Sequence, residues 1–250
     1  IPYETGHPVE GQPNLGKVIE LVMNDGFDPR IKKQVGPKTG DPETFKTFEE
    51  LYAAFQKQID FNEEVLRRGA WIASMLCADF LPVPWRSLLT GGCIETGTEV
   101  WNGGANYYTC AQIVVGGIDA ANSLMAVKKL VYDDKKISMA ELKKALAANF
   151  KGYENVRKMC YEAPKHGNDI PEVNKMTHRV YESILTAFNS VDGGGNYLSQ
   201  DIKSAPDAYT KSIHNLMGMV TGALPNGKYA GVALTDGSLS AMPGTDVNGP

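Results

Sequence analysis

The sequence predicts a mixed α/β fold with long helices and few strands. Three observations carry this. Apolar residues recur at helical spacing in six segments, most of them opened by a recognisable cap or an early proline. Strand-like apolar runs are short and lie among glycines. The composition, 42% hydrophobic and 22% charged over 250 residues, is that of a chain able to bury a core.

Residues 1–13 read as loop. Asn14 then caps a helix with Leu15, Val18, Ile19 and Val22 on one face, stopped near Gly26. Residues 26–46 are rich in Gly, Pro, Asp and Lys and read as a surface loop. Thr47 and Glu50 form a capping box, in which each side chain satisfies an end-of-helix donor. The helix that follows carries Leu51, Phe55, Ile59 and Leu66 toward Cys77, with a kink expected at Arg67, Arg68 and Gly69. Pro82 and Pro84 end it, and residues 85–118 read as strand and loop. Four more helices are expected, over 120–132, from Ser138 with its partner Glu141 to Phe150, over 153–161, and from Pro171 to Asn189. Gly193, Gly194 and Gly195 break the pattern. Residues 209–219 read as a strand with Ser212 and His214 on one face and Tyr209, Lys211 and Ile213 on the other. Pro225, Asn226, Gly227 and Lys228 form a turn.

Several function classes are excluded. The net charge of -4 and pI of 5.6 argue against a nucleic-acid binder, which needs a basic face. No apolar run reaches the length of a membrane span. Cys77, Cys93, Cys110 and Cys160 form no C-x-x-C pair, so no zinc or iron–sulfur site is expected in the chain. Scattered thiols fit a reducing compartment, the cytoplasm. Gly116 and Gly117 lack the spacing of a phosphate loop. The charges at Lys128, Lys129 and 133–136 read as a solvated helix end. Both termini fall in Gly/Pro-rich stretches, and residues 1–250 read as one partial domain truncated at both ends.

Six ordered segments have a family likeness. They are Asn14–Gly26, Gly36–Asp41 with Phe48–Glu50, Gly103–Ala105 with Tyr107, Asn122–Val131, Ala163–Asp169, and Gly222–Lys228 with Asp236–Gly237 and Gly244–Pro250. Together the chain resembles the pyruvate formate-lyase-like superfamily of glycyl radical enzymes. The resemblance implies part of a ten-stranded α/β barrel wrapped by long helices. Inside such a barrel two loops meet, one with a cysteine in Gly-Cys-x-Glu and one with the radical glycine in Arg-Val-x-Gly-Tyr. An activase using S-adenosylmethionine and an iron–sulfur cluster installs the radical; the thiyl it generates takes a hydrogen atom from a small organic substrate. A homodimer and an anaerobic setting are implied as well.

The cysteine loop is expected just before Asn14, and residues 1–13 contain no cysteine. The chain also holds no Arg-Val-x-Gly-Tyr. The resemblance therefore implies an internal piece of the C-terminal half, with no cofactor bound in it and no turnover by itself. The implied reaction is cleavage of a C–C or C–X bond, of dehydratase or arylacetate decarboxylase type. Leu130–Asp134 and Asp236–Ala241 resemble the decarboxylases, while residues 112–115, Gln-Ile-Val-Val, lack their carboxylate. A fumarate-adding synthase of the benzylsuccinate type, or a non-catalytic relative acting as a binding subunit, are the alternatives.

Four residues are site candidates. Cys93 and Glu95 reproduce Gly-Cys-x-Glu, as thiyl and acid/base neighbour, but they stand among segments that resemble the family well downstream of its catalytic loop; a cysteine at a strand or loop is the reading preferred. His7, in a stretch that reaches substrate in some family members, is a candidate base, against a solvated loop histidine. Tyr209 falls where related dehydratases place a pocket-lining tyrosine, against a core aromatic. Asn106, Tyr107 and Tyr108 follow the Gly-Gly-Ala segment and could approach the barrel interior. His166 and His178 read as surface or helix-face residues.

Overall fold

The computed structural model describes residues 5–6, 10–190, 203–207, 212–236 and 239–248. In chain order the elements are β1 (Thr5–Gly6), β2 (Glu10–Gly11), α1 (Leu15–Met23), β3 (Phe27–Asp28), β4 (Lys33–Gln34), α2 (Phe48–Phe80), α3 (Pro84–Leu89), α4 (Cys93–Thr96), β5 (Tyr107–Ile113), α5 (Gly117–Val127), α6 (Met139–Ala147), α7 (Glu154–Glu162), α8 (Pro171–Ser190), β6 (Lys203–Asp207) and α9 (Ile213–Met219). They fall into two compact units. One comprises residues 1–13, 62–113 and 184–207; the other comprises 14–61, 114–183 and 208–250.

The first unit is organised on β5. β6 lies parallel to it on one register, from Thr109 opposite Lys203 to Ile113 opposite Asp207. β1 and β2 also run parallel to β5, pairing Thr5 with Tyr107 and Glu10 with Ala111. All-parallel pairing needs long crossovers, which explains why helices fill the sequence between these strands.

α2 is one continuous helix through Arg67, Arg68 and Gly69, the stretch where a kink is expected. Arg67 is buried, its Nη1 donates to the Phe188 carbonyl at 2.8 Å, and its guanidinium lies over the Phe188 ring. A glycine weakens a helix by about 1 kcal/mol but leaves its N–H in the ladder, so the turn survives. Residues 85–118 are also not simply strand and loop. They begin with α3 and α4, add a 3₁₀ turn at Val100–Asn102, and become strand only at Tyr107. Glu99 organises this stretch. Its carboxylate accepts from the Val83 amide, the Ser87 hydroxyl and the Trp101 amide. Such side-chain bonds to local backbone select turns that hydropathy does not register.

In the second unit α1 packs on α5, and the expected caps are in place. Asn14 Oδ1 accepts from the Lys17 amide at 2.9 Å, and Ser138 Oγ from the Glu141 amide at 3.1 Å. Thr47 accepts from the Glu50 amide, while Glu50 returns to the Lys46 amide rather than that of Thr47. Close approach of the two helix starts needs Gly16 and Gly116. A Cβ on Gly16 would lie 2.7 Å from Leu234 Cδ2, and Gly116 has a φ of +73°. The helix expected over 120–132 starts at Gly117 and turns into a π-helical stretch at Lys128–Asp133.

The strand expected over 209–219 is a helix. Ser212 to Met219 forms a turn and then α9, and residues 208–211 lie outside the described residues. The reason is long-range. Asn14 Nδ2 and Thr221 Oγ1 both donate to the Met217 carbonyl, so the end of a short helix is satisfied by a side chain from α1's start. Alternation in the segment alone carried no trace of this. Asn14 therefore caps one helix and ends another. Asn14→Ala is expected to cost about 1–2 kcal/mol of unfolding free energy in a urea titration, more than an ordinary exposed cap in the same chain such as Ser138→Ala.

Candidate functional site

The most strongly specified place in the chain is buried under the segment 221–248. Asp119 sits in the first turn of α5 and is fully buried. Its Oδ1 accepts from Asn226 Nδ2 at 2.8 Å and lies 3.1 Å from Lys228 Nζ. Its Oδ2 accepts from the Thr235 amide at 2.6 Å. Lys228 Nζ also donates to the Ala233 carbonyl, and its amide donates to Asn226 Oδ1. A buried carboxylate is tolerable only with this degree of satisfaction, and the start of a helix adds favourable field.

The turn that delivers Asn226 and Lys228 is local. The Gly227 amide donates to the Leu224 carbonyl and Leu224's amide to the Lys228 carbonyl. Gly227 has a φ of +90°, and a Cβ there would stand 3.0 Å from the backbone of Tyr161. Asn226 keeps a negative φ, so glycine alone supplies the left-handed conformation. Arg157 Nε donates to the Gly227 carbonyl at 3.0 Å while its guanidinium stacks 4.0 Å from the Tyr229 ring centre.

Beside this network opens a cleft of about 430 Å³, lined among others by Arg157, His214, Tyr229, Thr235, Asp236 and Met242. Thr235 is buried, and its hydroxyl makes no hydrogen bond. The walls of the cleft are largely apolar. A second cavity, of about 560 Å³, lies along Glu20, Arg30, Glu43 and Lys143. Three of its charges are already spent: Glu20 on Lys17 and the Gly222 amide, Lys143 on Asp41 and Glu43.

The loop Ala163–Asp169 pins the same C-terminal run. Asn168 donates to the Thr245 carbonyl and accepts from the Val247 and Asn248 amides. His166 is half-buried, and its Nε2 lies 3.0 Å from the Leu239 carbonyl in an exposed contact, where Gly167 at a φ of +94° brings the loop against Ala241. His178 does lie exposed on α8, 3.6 Å from Glu182. Lys165 is buried, donating to the Cys160 and Ala163 carbonyls at the end of α7. Burial pushes its pKa down to about 8, and burial pushes the Cys160 thiol up to about 12.

Cys93 and Glu95 stand in the first unit. Gly92, at a φ of +96°, precedes Cys93, the first residue of α4. A Cβ on Gly92 would sit 2.7 Å from Asn106 Oδ1, so this glycine answers to both conformation and space. Glu95 folds back on its own helix, accepting from the Gly92 amide at 2.9 Å. Cys93 is 4% exposed and clusters with Val100, Trp101 and Ala105. Its thiol is pushed up by burial first and then by the Glu99 and Glu95 carboxylates. His7 and Tyr209 lie outside the described residues. Asn106 and Tyr107 are exposed, Tyr107 by 60%. Sequence reasoning quoted Asn226 and Lys228 as part of a turn but did not find their partner. Asp119 carries a signal only in retrospect: an acid in a helix's first turn inside a wholly apolar stretch.

Residues 4–218 match the family model described as pyruvate formate lyase-like. Over 246 residues the chain is 35% identical to trans-4-hydroxy-L-proline dehydratase of Clostridioides difficile, covering 96% of this chain and 30% of that protein. It is 32% identical over 277 residues to indoleacetate decarboxylase of Tractidigestivibacter scatoligenes, covering 98% and 30%. Its structure matches the glycerol-bound form of the B12-independent glycerol dehydratase of Clostridium butyricum with a TM-score of 0.87 and 32% identity, over 98% of this chain and 30% of that one. The chain belongs to the pyruvate formate lyase-like family, and its fold is that of a segment of the family's glycyl radical enzymes. It spans about 30% of the length of the relatives it matches.

Asp119→Ala strands Lys228 without its carboxylate, and a loss of about 3–5 kcal/mol in chemical denaturation is expected; a loss below about 1 kcal/mol would mean that the network carries little. Lys165 gives a pH signature. Its folded pKa of about 8 lies below its unfolded value of 10.5, so between them the unfolded chain binds the extra proton. This group therefore adds stability as pH rises through that window, up to about 3 kcal/mol. Cys160 acts oppositely above its unfolded value of 9.0 in both proteins, so the readout is a difference. The native chain should gain on Lys165→Met between pH 7.5 and 10; a flat difference counts against a strained lysine.

Proposed function

We propose that the polypeptide containing these residues is a glycyl radical lyase that cleaves a C–C or C–X bond of a small organic molecule. The observation that carries this is the near-complete coverage of the chain by a dehydratase at 35% identity and a decarboxylase at 32%. Both are lyases by name, and the glycerol dehydratase structure points the same way. Residues 1–250 form part of a single ten-stranded barrel domain in this reading, wrapped by helices such as α2 and α8. The whole protein acts in the cytoplasm as a homodimer and is activated by an S-adenosylmethionine-dependent iron–sulfur enzyme.

The residues of this chain do not suit the two radical-bearing positions. No Arg-Val-x-Gly-Tyr is present. Cys93 faces an apolar cluster, and Glu95 is committed to the Gly92 amide. A thiol that must meet substrate needs an open face, and a neighbouring acid needs a free oxygen. Cys93 is therefore a packing residue, and the reacting cysteine and glycine come from residues other than these 250. The part played by this chain is the wall: the Asp119 network and the Ala163–Asp169 loop hold the 221–248 segment rigid, and rigid walls keep water from reactive intermediates. His7 and Tyr209 are kept as substrate-facing residues under the same reading.

The activated full-length protein should show a glycine-centred doublet in electron paramagnetic resonance and be cleaved on exposure to air. No doublet after activation would remove the assignment. Cys93→Ala should retain turnover once folding is verified by circular dichroism; complete loss of hydrogen abstraction in a folded variant would return Cys93 to the chemistry. In the native protein Cys93 should alkylate roughly tenfold more slowly than the half-buried Cys77.

A further inference from the structure

We draw no further inference here: the strongest candidate, the cleft beside the Asp119 network with Arg157 stacked on Tyr229 in its wall, belongs to the site already described, and nothing in the structure shows what occupies it.

Discussion

One buried carboxylate ties the irregular run after α9 to the start of α5. Asp119 accepts from the Asn226 amide group and the Thr235 backbone, and it neutralises Lys228 at 3.1 Å. Each partner comes from the irregular run after α9, which has little secondary structure to hold it. Burying a charge is costly unless every lone pair is used, so the run has few alternative placements. The same logic repeats nearby: Asn168 takes up the Thr245 carbonyl and the Val247 and Asn248 amides, and Glu20 takes up the Gly222 amide. A long irregular segment is thereby made rigid without strands or helices.

The first unit makes a different use of acids. Glu99 spends both oxygens on nearby backbone and a serine, and Glu95 spends its own on the amide ahead of α4. They shape a short loop whose only cysteine is sealed. The four letters Gly-Cys-x-Glu therefore describe a capping motif here. Glutamate three residues after a glycine closes a helix start as readily as it could serve a reacting thiol, and only the oxygen's partner separates the two.

Much of the helical architecture was legible because caps are local. Asn14, Thr47 and Ser138 each satisfy a donor three residues away, and such bonds are written in nearby letters. The family likeness was legible for a related reason, since six short segments keep their order over almost the whole chain. What was missed is partly nonlocal. In α9, expected as a strand, the Met217 carbonyl is held by Asn14, two hundred residues earlier, as well as by Thr221, four residues on. Across Gly69 α2 continues, with Arg67 anchored to the Phe188 carbonyl.

The sequence by itself determined the starts of α1, α2 and α6, the α/β class, the family and the lack of a radical-glycine motif, because each depends on neighbouring residues or on their order. Only the tertiary structure decided what the polar residues inside those elements are for. Asp119 became the anchor of the 221–248 run, Lys165 a buried cation held by two carbonyls, and Cys93 a packed thiol. The physical reason is that the free energy of a buried polar group is set by its partners, and those of Asp119 lie more than a hundred residues along the chain, where no local pattern records them.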